Sequence, residues 1–235
     1  MNRIANIRAE EKKYHDLCYE QYHLFEPGTW LHKPVKTVID LLQEYNNKEY
    51  LSVLDLGAGI GRNSIPIAES MKNRDGKVVC VDILESAINK LNEYSKQYGV
   101  EPFIESKLSD IEQFIIERDK YDIIVAVFPL EHVSSEKALM SKLNEMVLGT
   151  KHGGANCIII GSNIREVGLE SGLELDPMFE INLPTETMLE LLDQQYTGWE
   201  IQNRFVKQLK YEIDRNGQRV ELTTDCITFV AKKRL

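Results

Sequence analysis

The stretch that decides the fold reads Val53-Leu54-Asp55-Leu56-Gly57-Ala58-Gly59-Ile60-Gly61-Arg62-Asn63. The apolar residues at its start are typical of a buried strand, and the glycines that follow predict a tight turn into a helix. Because glycine has no Cβ, a bend of this kind lets backbone N–H groups come close to a ligand. The stretch therefore predicts a ligand-binding turn between a strand and a helix.

The spacing of the glycines restricts the kind of ligand that fits. The dinucleotide fingerprint G-x-G-x-x-G requires glycine at the position that Arg62 occupies here. The observed pattern is D-x-G-x-G-x-G, in which Asp55 comes shortly before the first glycine. A carboxylate at this place would repel a pyrophosphate. The pattern counts against a dinucleotide, and a tight turn with an incidental aspartate is the structural alternative.

Strand-like and helical segments alternate on both sides of this turn. The predicted helices cover residues 31–46, 62–71, 84–94, 111–117, 134–148 and 187–194, and the predicted strands cover residues 50–56, 77–81, 102–106, 122–128, 155–161, 199–213 and 218–232. Ser134 and Thr187 are the predicted N-caps of the last two helices, and Asn216-Gly217 is a hairpin signal. This order predicts an α/β fold with a doubly wound, mostly parallel seven-stranded sheet and a C-terminal antiparallel hairpin. Ligands of such sheets bind beyond the carboxyl ends of the strands.

Composition narrows the function further. The 235 residues carry 28 Lys and Arg against 37 Asp and Glu, a net charge of −9, which argues against a nucleic-acid partner. The longest apolar run, residues 123–130, is too short to span a membrane, and the first residues show no secretory signal. The four cysteines are scattered without a metal-ligand spacing, so we expect buried free thiols, no metal and a cytoplasmic location.

A second carboxylate follows the next predicted strand. Asp82 ends the string Val78-Val79-Cys80-Val81-Asp82. An acid at this place can accept both ribose hydroxyls of an adenosine group. A cap for the following helix is the alternative role, and the two roles can coexist. Asp82 therefore predicts a nucleoside near the turn without distinguishing between cofactors.

Together these motifs resemble the cofactor loop of class I S-adenosylmethionine-dependent methyltransferases, over about residues 50–162. In that family the strand-end acid and the glycine loop surround the amino-acid half of the cofactor, so the resemblance places Asp55 near an ammonium group. It implies a Rossmann-like methyltransferase fold with S-adenosylmethionine as the cofactor. The cofactor-binding residues that it implies are Asp55, Gly57, Ala58, Gly59, Gly61, Arg62, Asn63, Asp82, Ile83, Asp110, Ile111, Val127 and Phe128.

The resemblance also gives roles to residues after the third and fourth strands. Asp110 stands where the family commonly places an acid against the adenine amino group, with a helix cap as the alternative. The string Leu130-Glu131-His132-Val133 looks like the segment that faces the methyl acceptor in many small-molecule methyltransferases. His132 is accordingly the candidate catalytic residue, either as a base near its unperturbed pKa or as an orienting group, with a structural histidine as the alternative.

A narrower likeness indicates the tellurite-resistance methyltransferase branch. It rests on residues 55–64 and on the terminal strings at 214–221 and 227–233. The chain departs from that branch at Ala58, where the branch often has Cys, and in the Leu-Glu-His-Val segment, which is of the broader type. The resemblance therefore implies the cofactor and the methyl-transfer reaction, but not tellurite as the acceptor.

Residues 1–49 form a separate predicted segment before the methyltransferase domain at residues 50–235. Its dense aromatic residues and the Pro-Gly pair at 27–28 predict two helices. The resemblance implies that they close over the site as a lid, because a segment before the first strand often does so in related enzymes, and packing on the sheet edge is the alternative. The predicted acceptor pocket consists of Tyr22, Trp30, Glu131 and Arg165. Simple packing is the alternative role for Tyr22 and Trp30, and a solvated loop charge is the alternative for Arg165.

The sequence thus predicts an enzyme that methylates a small-molecule acceptor by in-line displacement, with S-adenosylmethionine as the methyl donor. It predicts no nucleic-acid or membrane partner and leaves the oligomeric state open. One alternative is a non-catalytic module that only holds the cofactor. Another is an NAD-dependent oxidoreductase, against which Asp55 and the early third glycine count. A nucleic-acid or protein methyltransferase is a third, and the acidic balance disfavours the nucleic-acid version.

Overall fold

A mixed β-sheet runs through the centre of the chain and carries helices on both faces. The computed structural model describes residues 3–215 and 217–235. The strands are β1 (Tyr50–Leu56), β2 (Asp75–Asp82), β3 (Ile104–Leu108), β4 (Tyr121–Val127), β5 (Thr150–Gly168), β6 (Glu174–Leu175), β7 (Glu200–Arg215) and β8 (Gln218–Lys232). The helices are α1 (Arg3–Gln21), α2 (Lys36–Gln43), α3 (Ser64–Glu69), α4 (Glu85–Gln97), α5 (Glu136–Gly149) and α6 (Thr185–Gln195), with 3₁₀ turns at Ser70–Asn73, Glu101–Phe103 and Leu130–His132.

The strand order confirms the predicted doubly wound sheet. Neighbouring strands follow the order β3-β2-β1-β4-β5-β8-β7, and the short β6 pairs with β5 beside this path. The first five strands are parallel to one another, whereas β8 runs antiparallel to both β5 and β7. The C-terminal hairpin therefore places its antiparallel strand inside the sheet and β7 at the edge. Because the chain winds in opposite directions from β1 and β4, the switch point lies between these two strands.

The side chains of β1 show how the sheet buries both faces. Leu51 and Val53 enter the apolar cluster beneath α2, α3 and α4, whereas Leu54 and Leu56 enter the cluster beneath α5 and α6. Successive side chains of a strand point to opposite faces, so a strand that is covered on both sides needs a nearly continuous apolar run. Asp55 interrupts that run and hydrogen-bonds to α3. This buried carboxyl group thus belongs to the site rather than to the core.

The helix boundaries correct three predictions. α2 begins at Lys36 rather than at residue 31, and α3 covers only Ser64–Glu69 of the predicted 62–71, since the glycine turn extends further into it. Residues 111–117 form turns and not a helix. The N–H groups of Gln113 and Phe114 both donate to the carbonyl of Asp110, and a single turn of this kind does not propagate into a helix without further support.

The predicted N-caps are also displaced. Ser135 rather than Ser134 caps α5, and its Oγ accepts a hydrogen bond from the N–H of Ala138. Ser134 donates instead to the carboxylate of Glu112, through both its N–H and its hydroxyl. α6 begins at Thr185 directly after a proline, so Thr187 lies inside the helix. The hairpin signal falls partly on Asn216, which lies outside the described residues, and the flanking strands pair up to Arg215 and Gln218.

Candidate active site

The glycine turn lies at the switch point, between the end of β1 and the start of α3. Gly57, Gly59 and Gly61 all have positive φ angles, of 68°, 53° and 98°. Residues with a Cβ adopt these angles only at a cost, which explains the repeated glycines. A Cβ at Gly57 would lie 2.5 Å from Cβ of Pro129, so the segment after β4 packs directly on the turn. The N–H of Gly57 donates to the carbonyl of Val81 at 2.8 Å, which ties the turn to β2.

Asp55 lies at the end of β1, buried beneath the turn. Its Oδ2 accepts a hydrogen bond of 2.5 Å from the hydroxyl of Ser64. Burial raises the pKa of Asp55 to about 7, although the hydrogen bond from Ser64 works in the opposite direction. The carboxyl group is therefore poised between its neutral and ionised forms near neutral pH, and a positive group beside it would favour ionisation.

Asp82 closes the turn from the side of β2. Its Oδ2 accepts from the N–H of Gly59 at 2.8 Å, and its Oδ1 accepts from the N–H of Leu84 at 2.9 Å. Burial raises the pKa of Asp82, and these backbone hydrogen bonds oppose the increase. Leu84, not Asp82, is the N-cap residue of α4. Asp82 thus holds the glycine turn in place, while the neighbouring Ile83 is 51% exposed at the rim of the turn.

The next two residues of the turn connect it to the N-terminal segment. One guanidinium nitrogen of Arg62 donates to the carbonyl of Trp30 at 2.8 Å, and the guanidinium carbon lies 5.4 Å from the centre of the Trp30 ring. Oδ1 of Asn63 accepts from the N–H of Val35 at 2.9 Å. Both side chains are therefore engaged in holding the segment between α1 and α2 against the turn.

The ends of β3 and β4 bring further predicted residues to the same edge. Oδ2 of Asp110 lies 2.9 Å from a guanidinium nitrogen of Arg8, and Ile111 beside it is buried. Val127 is half-buried, and Phe128 has a φ of 63°, a left-handed value that is uncommon for a bulky residue. Backbone strain of this kind occurs preferentially in functional segments. The predicted cofactor-binding positions therefore all lie at or just after the carboxyl ends of the parallel strands β1 to β4.

The turn after β4 forms a second group of polar residues. It contains Glu131 and His132 from the turn itself, Glu11 from α1 and Glu180 from the segment before α6, which we call the acidic cluster. Nδ1 of His132 lies 3.0 Å from Oε2 of Glu180, whose side chain is 1% exposed. Oε2 of Glu11 lies 3.4 Å from Nε2 of His15. The sequence drew attention to Glu131 and His132 but gave no sign of Glu11 or Glu180.

The acidic cluster changes the role expected for His132. Burial lowers the pKa of His132, but the hydrogen bond with Glu180 and the charges of Glu11 and Glu131 outweigh it and raise the pKa to about 9. With this pKa the imidazole of His132 is protonated at neutral pH. In that form it cannot accept a proton, so the role as a base near its unperturbed pKa is not supported. Burial raises the pKa of Glu131 to about 7, which makes this carboxylate the better proton acceptor of the two.

One face of α1 spans the distance between the glycine turn and the acidic cluster. Residues at helical spacing share this face, namely Arg8, Glu11, His15 and Tyr19. The Tyr19 hydroxyl would lie 3.1 Å from a Cβ at Gly59. At about 1.5 Å per residue, Glu11 and Tyr19 are about 12 Å apart along the helix. α1 therefore covers both parts of the site at once.

The structure does not bring the predicted acceptor pocket together. Tyr22 and Trp30 line a cleft of about 420 Å³ on another face of α1, next to the end of β7. Glu131 is buried in the acidic cluster, and Arg165 is exposed and pairs with Glu174 at 2.9 Å. Arg165 is therefore a surface charge and not part of the site. Of the four predicted residues, Trp30 contacts Arg62 of the glycine turn and Glu131 follows the segment that packs on that turn, but the two are not brought together.

The remaining expectations concern cysteines, metals and membranes. The four cysteines are buried and unpaired, as predicted. Across residues 3–215 and 217–235, no group of three or more His, Cys, Asp or Glu side chains is arranged to hold a metal ion. Within the same residues, no helix combines the length and the hydropathy that crossing a membrane would require.

Known proteins with the same architecture support an enzymatic role. Residues 53–154 match a family of methyltransferase domains. No curated protein matches the sequence. Among solved structures, TehB of Haemophilus influenzae superposes with a TM-score of 0.63 at 22% identity, over 94% of this chain and 67% of that one. An identity this low establishes the fold alone.

Two further solved structures are S-adenosylmethionine-dependent methyltransferases. The protein of Methanosarcina mazei has a TM-score of 0.59 at 17% identity, over 86% of this chain and 99% of that one. The protein of Aquifex aeolicus has a TM-score of 0.51 at 19% identity, over 81% of this chain and 89% of that one. The matched methyltransferase domain, the strand order and the glycine turn at the switch point together support a class I S-adenosylmethionine-dependent methyltransferase.

Proposed function

We propose that the chain transfers a methyl group from S-adenosylmethionine to a small-molecule acceptor by in-line displacement. The observation that carries this proposal is the glycine turn at the switch point, with Asp55 beneath it and Asp82 beside it. The turn leaves no room for a Cβ at Gly57 and brings backbone close to where a ligand of the sheet would lie.

The residues at the turn fit the cofactor chemically. Asp55 suits an ammonium group, because a neighbouring positive charge would favour its ionised form. Asp82 and Asp110 suit a ribose and an adenine, and we assign the backbone from Gly57 to Asn63, with Ile83, Ile111, Val127 and Phe128, to the walls around them. When bound, the cofactor supplies a methyl group on a positively charged sulfur, which needs no metal for its activation.

The chain's own contribution is to orient the reactants and to keep water out. α1 lies over the site and is fastened at several points, by Arg8 to Asp110 at 2.9 Å and by Asp16 to the hydroxyl of Ser86. We infer that residues 1–49 act as the lid of the domain formed by residues 50–235. Holding a nucleophile and a methyl group in line is worth about 7–11 kcal/mol in favourable cases.

The acceptor is small in this proposal, because the polar groups next to the turn are buried under α1 rather than open to a macromolecule. Glu131 is 2% exposed, and the Glu180 side chain is 1% exposed. The net charge of −9 supports an acceptor other than nucleic acid. The four cysteines are free thiols, which persist in a reducing compartment, and this supports a cytoplasmic location.

A thermal-shift comparison tests the cofactor part of the proposal. S-adenosylmethionine at about 100 times its Kd should stabilise the fold by about 2.7 kcal/mol, and NAD should have no effect. For a chain of this size the shift in Tm should be about 5–10 °C. Equal stabilisation by NAD would contradict the assignment. Transfer of a labelled methyl group to any acceptor in a small-molecule panel would then separate an enzyme from a non-catalytic binding module.

A further inference from the structure

The carboxylate of Glu131 is a buried group near the site with only one of its two oxygens hydrogen-bonded. Its Oε1 accepts a hydrogen bond from the N–H of Gly161 at 3.1 Å. Its Oε2 has no hydrogen-bond partner among residues 3–215 and 217–235, although the residue is only 2% exposed. A buried carboxylate oxygen without a partner destabilises a fold unless a proton or a ligand pairs with it. Oε2 of Glu131 is therefore a ready position for a positively charged ligand group.

The neighbouring charges leave Glu131 without a cation of its own. Glu180 is paired with His132 at 3.0 Å and with Arg8 at 3.4 Å. Glu11 is shared between His15 at 3.4 Å and Arg215 at 3.5 Å.

The two guanidinium groups are themselves shared, since Arg8 also pairs with Asp110 and Arg215 with Glu166. The groups that act electrostatically on Glu131 are His132 from its own turn, Glu11 from α1 and Cys226 from β8. The carboxylates around Glu131 therefore outnumber the positively charged side chains that pair with them.

Glu131 lies close in the chain to the segment that packs on the glycine turn, so its carboxylate could contact a ligand next to the cofactor. Pro129, which packs on Gly57, comes just before Glu131 in the chain. The ring of His132 stacks on Phe179 with centroids 5.4 Å apart, which adds an apolar wall beside the carboxylates. A buried carboxylate oxygen without a partner, beside an aromatic ring and next to the expected methyl donor, matches an amine with an attached apolar group.

We propose that the acidic cluster is the acceptor subsite and that it takes a positively charged primary or secondary amine, with Oε2 of Glu131 as the partner of its nitrogen. This inference rests on the proposed function and names its substrate class. An oxyanion acceptor would face the unpaired carboxylate oxygen of Glu131 at this place and be repelled. A neutral alcohol would leave the charge of Glu131 uncompensated.

The same contact provides the proton transfer that an amine needs before it can act as a nucleophile. The N–H bond of the ammonium breaks and its proton passes to Oε2 of Glu131, which leaves the lone pair on nitrogen. That lone pair forms the new N–C bond to the methyl carbon as the C–S bond breaks, and the electron pair of that bond stays on sulfur. Burial raises the pKa of Glu131 to about 7, so its carboxyl group can hold a proton at neutral pH.

Calorimetric titration of the full chain with three matched probes tests the subsite. The probes are benzylamine, benzyl alcohol and benzoate, each titrated with and without S-adenosylhomocysteine. We expect benzylamine to bind at least about tenfold more tightly than benzyl alcohol, as a hydrogen bond to a charged group implies, and benzoate not to bind. Glu131→Gln should remove this preference, whereas Glu170→Gln, which removes an exposed carboxylate elsewhere, should keep it.

Each failure in this experiment has its own meaning. A wild-type chain that binds benzylamine no better than benzyl alcohol in either state overturns the amine subsite, whether or not the Glu131 variant folds. Equal loss of S-adenosylhomocysteine and benzylamine binding in Glu131→Gln also overturns it, because the carboxylate would then belong to the cofactor site. Absence of S-adenosylhomocysteine binding in the wild type contradicts the proposed function instead.

Discussion

The two ends of the candidate site are built in opposite ways. The glycine turn comes from the consecutive residues 53–63 and acts mainly through its backbone, with φ angles that favour glycine. The acidic cluster joins side chains from α1, from the turn after β4 and from the segment before α6. The first is a local feature that the sheet presents at its switch point, and the second exists only when distant segments pack together.

This difference predicts that substitutions are tolerated in the acidic cluster and not in the glycine turn. A backbone cradle fixes the cofactor and tolerates little change, because a Cβ at Gly57 already collides with Pro129. A cluster of side chains can be altered one group at a time without disturbing the sheet. On the proposed function, the glycine turn holds the cofactor and the acidic cluster selects the acceptor, and the following changes test that division.

The largest effect is expected from Gly57→Ala. The new Cβ would lie 2.5 Å from Cβ of Pro129 at a φ of 68°, so strain and overpacking together should cost about 2–5 kcal/mol of folding free energy. Binding of S-adenosylhomocysteine should weaken by about 100-fold or more, equivalent to about 2.7 kcal/mol. Denaturant unfolding and calorimetric titration measure the two effects.

Gly99→Ala is the matched control for this change. Gly99 has a similar φ of 64°, but no atom lies within 4 Å of its missing Cβ. It should cost about 1–2 kcal/mol from backbone strain alone and leave cofactor binding unchanged. Equal losses of stability and affinity in the two variants would show that the close packing at Gly57 is unimportant.

Asp55→Asn should change how stability depends on pH. Burial raises the pKa of Asp55 to about 7 in the folded chain, above its value of about 3.9 in the unfolded chain. Between these values the folded state holds a proton that unfolding releases, so the stabilising contribution is full at low pH and is lost as pH rises from about 4 to about 7.

The amide that replaces the carboxyl group does not titrate, so this loss is absent from Asp55→Asn. The variant should therefore gain up to about 1.4 kcal/mol relative to the wild type for each pH unit in that window. Urea unfolding at about pH 5, 6, 7 and 8 covers the window and its upper end. Parallel stability curves for the two proteins would mean that Asp55 is ionised throughout. The variant should also bind the cofactor more weakly above the folded-state pKa, where a carboxylate is required.

His132→Ala should slow methyl transfer without weakening cofactor binding. Because the pKa of His132 is raised to about 9, it positions Glu180 and does not act as a free base at neutral pH. The rate should fall by about tenfold, below the roughly 100-fold or more that loss of a general base typically costs. His152→Ala, at an exposed histidine that contacts the carbonyl of Arg234, is the control.

The pH–rate profile provides the sharper readout for His132. The rate of the wild type should show an ionisation near about pH 9 that is absent from His132→Ala. A wild-type profile without this ionisation would contradict the protonated state of His132 and weaken the division between the two ends of the site.

The smallest effect on stability is expected from Arg8→Gln. Arg8 joins the two ends, because it pairs with Asp110 at 2.9 Å and with Glu180 at 3.4 Å. The side chain is 35% exposed, so stability should fall by less than about 1 kcal/mol. If α1 is the lid, S-adenosylhomocysteine should dissociate several times faster, measured by stopped-flow fluorescence of Trp30. Arg3→Gln, which removes the pairing with Asp176 and hydrogen bonds to the carbonyls of Pro177 and Phe179 but no contact with Asp110, should have a smaller effect.

The glycine turn could be predicted from the sequence, whereas the acidic cluster could not. The alternation of strands and helices predicts the doubly wound sheet, and the apolar strand ends predict the turn and the positions of Asp55 and Asp82, since these features are set by local chemistry. The helix predicted at 111–117 was wrong because α5 bonds the backbone of that segment, through Lys142 to the carbonyl of Phe114 and through Glu145 to the N–H of Ile116, and nothing local shows these contacts. Glu11 and Glu180 carry no local signal either, because their pairing with the turn after β4 depends on tertiary packing. The raised pKa of His132 follows from those same contacts.

The most direct test of the central claim is a crystal structure of the chain with S-adenosylhomocysteine. The account predicts its amino-acid portion over Gly57 and Asp55, its ribose at Asp82, and its sulfur on the side of Glu131. A ligand bound elsewhere, or one whose sulfur faces away from the acidic cluster, would contradict the assignment of the two ends of the site.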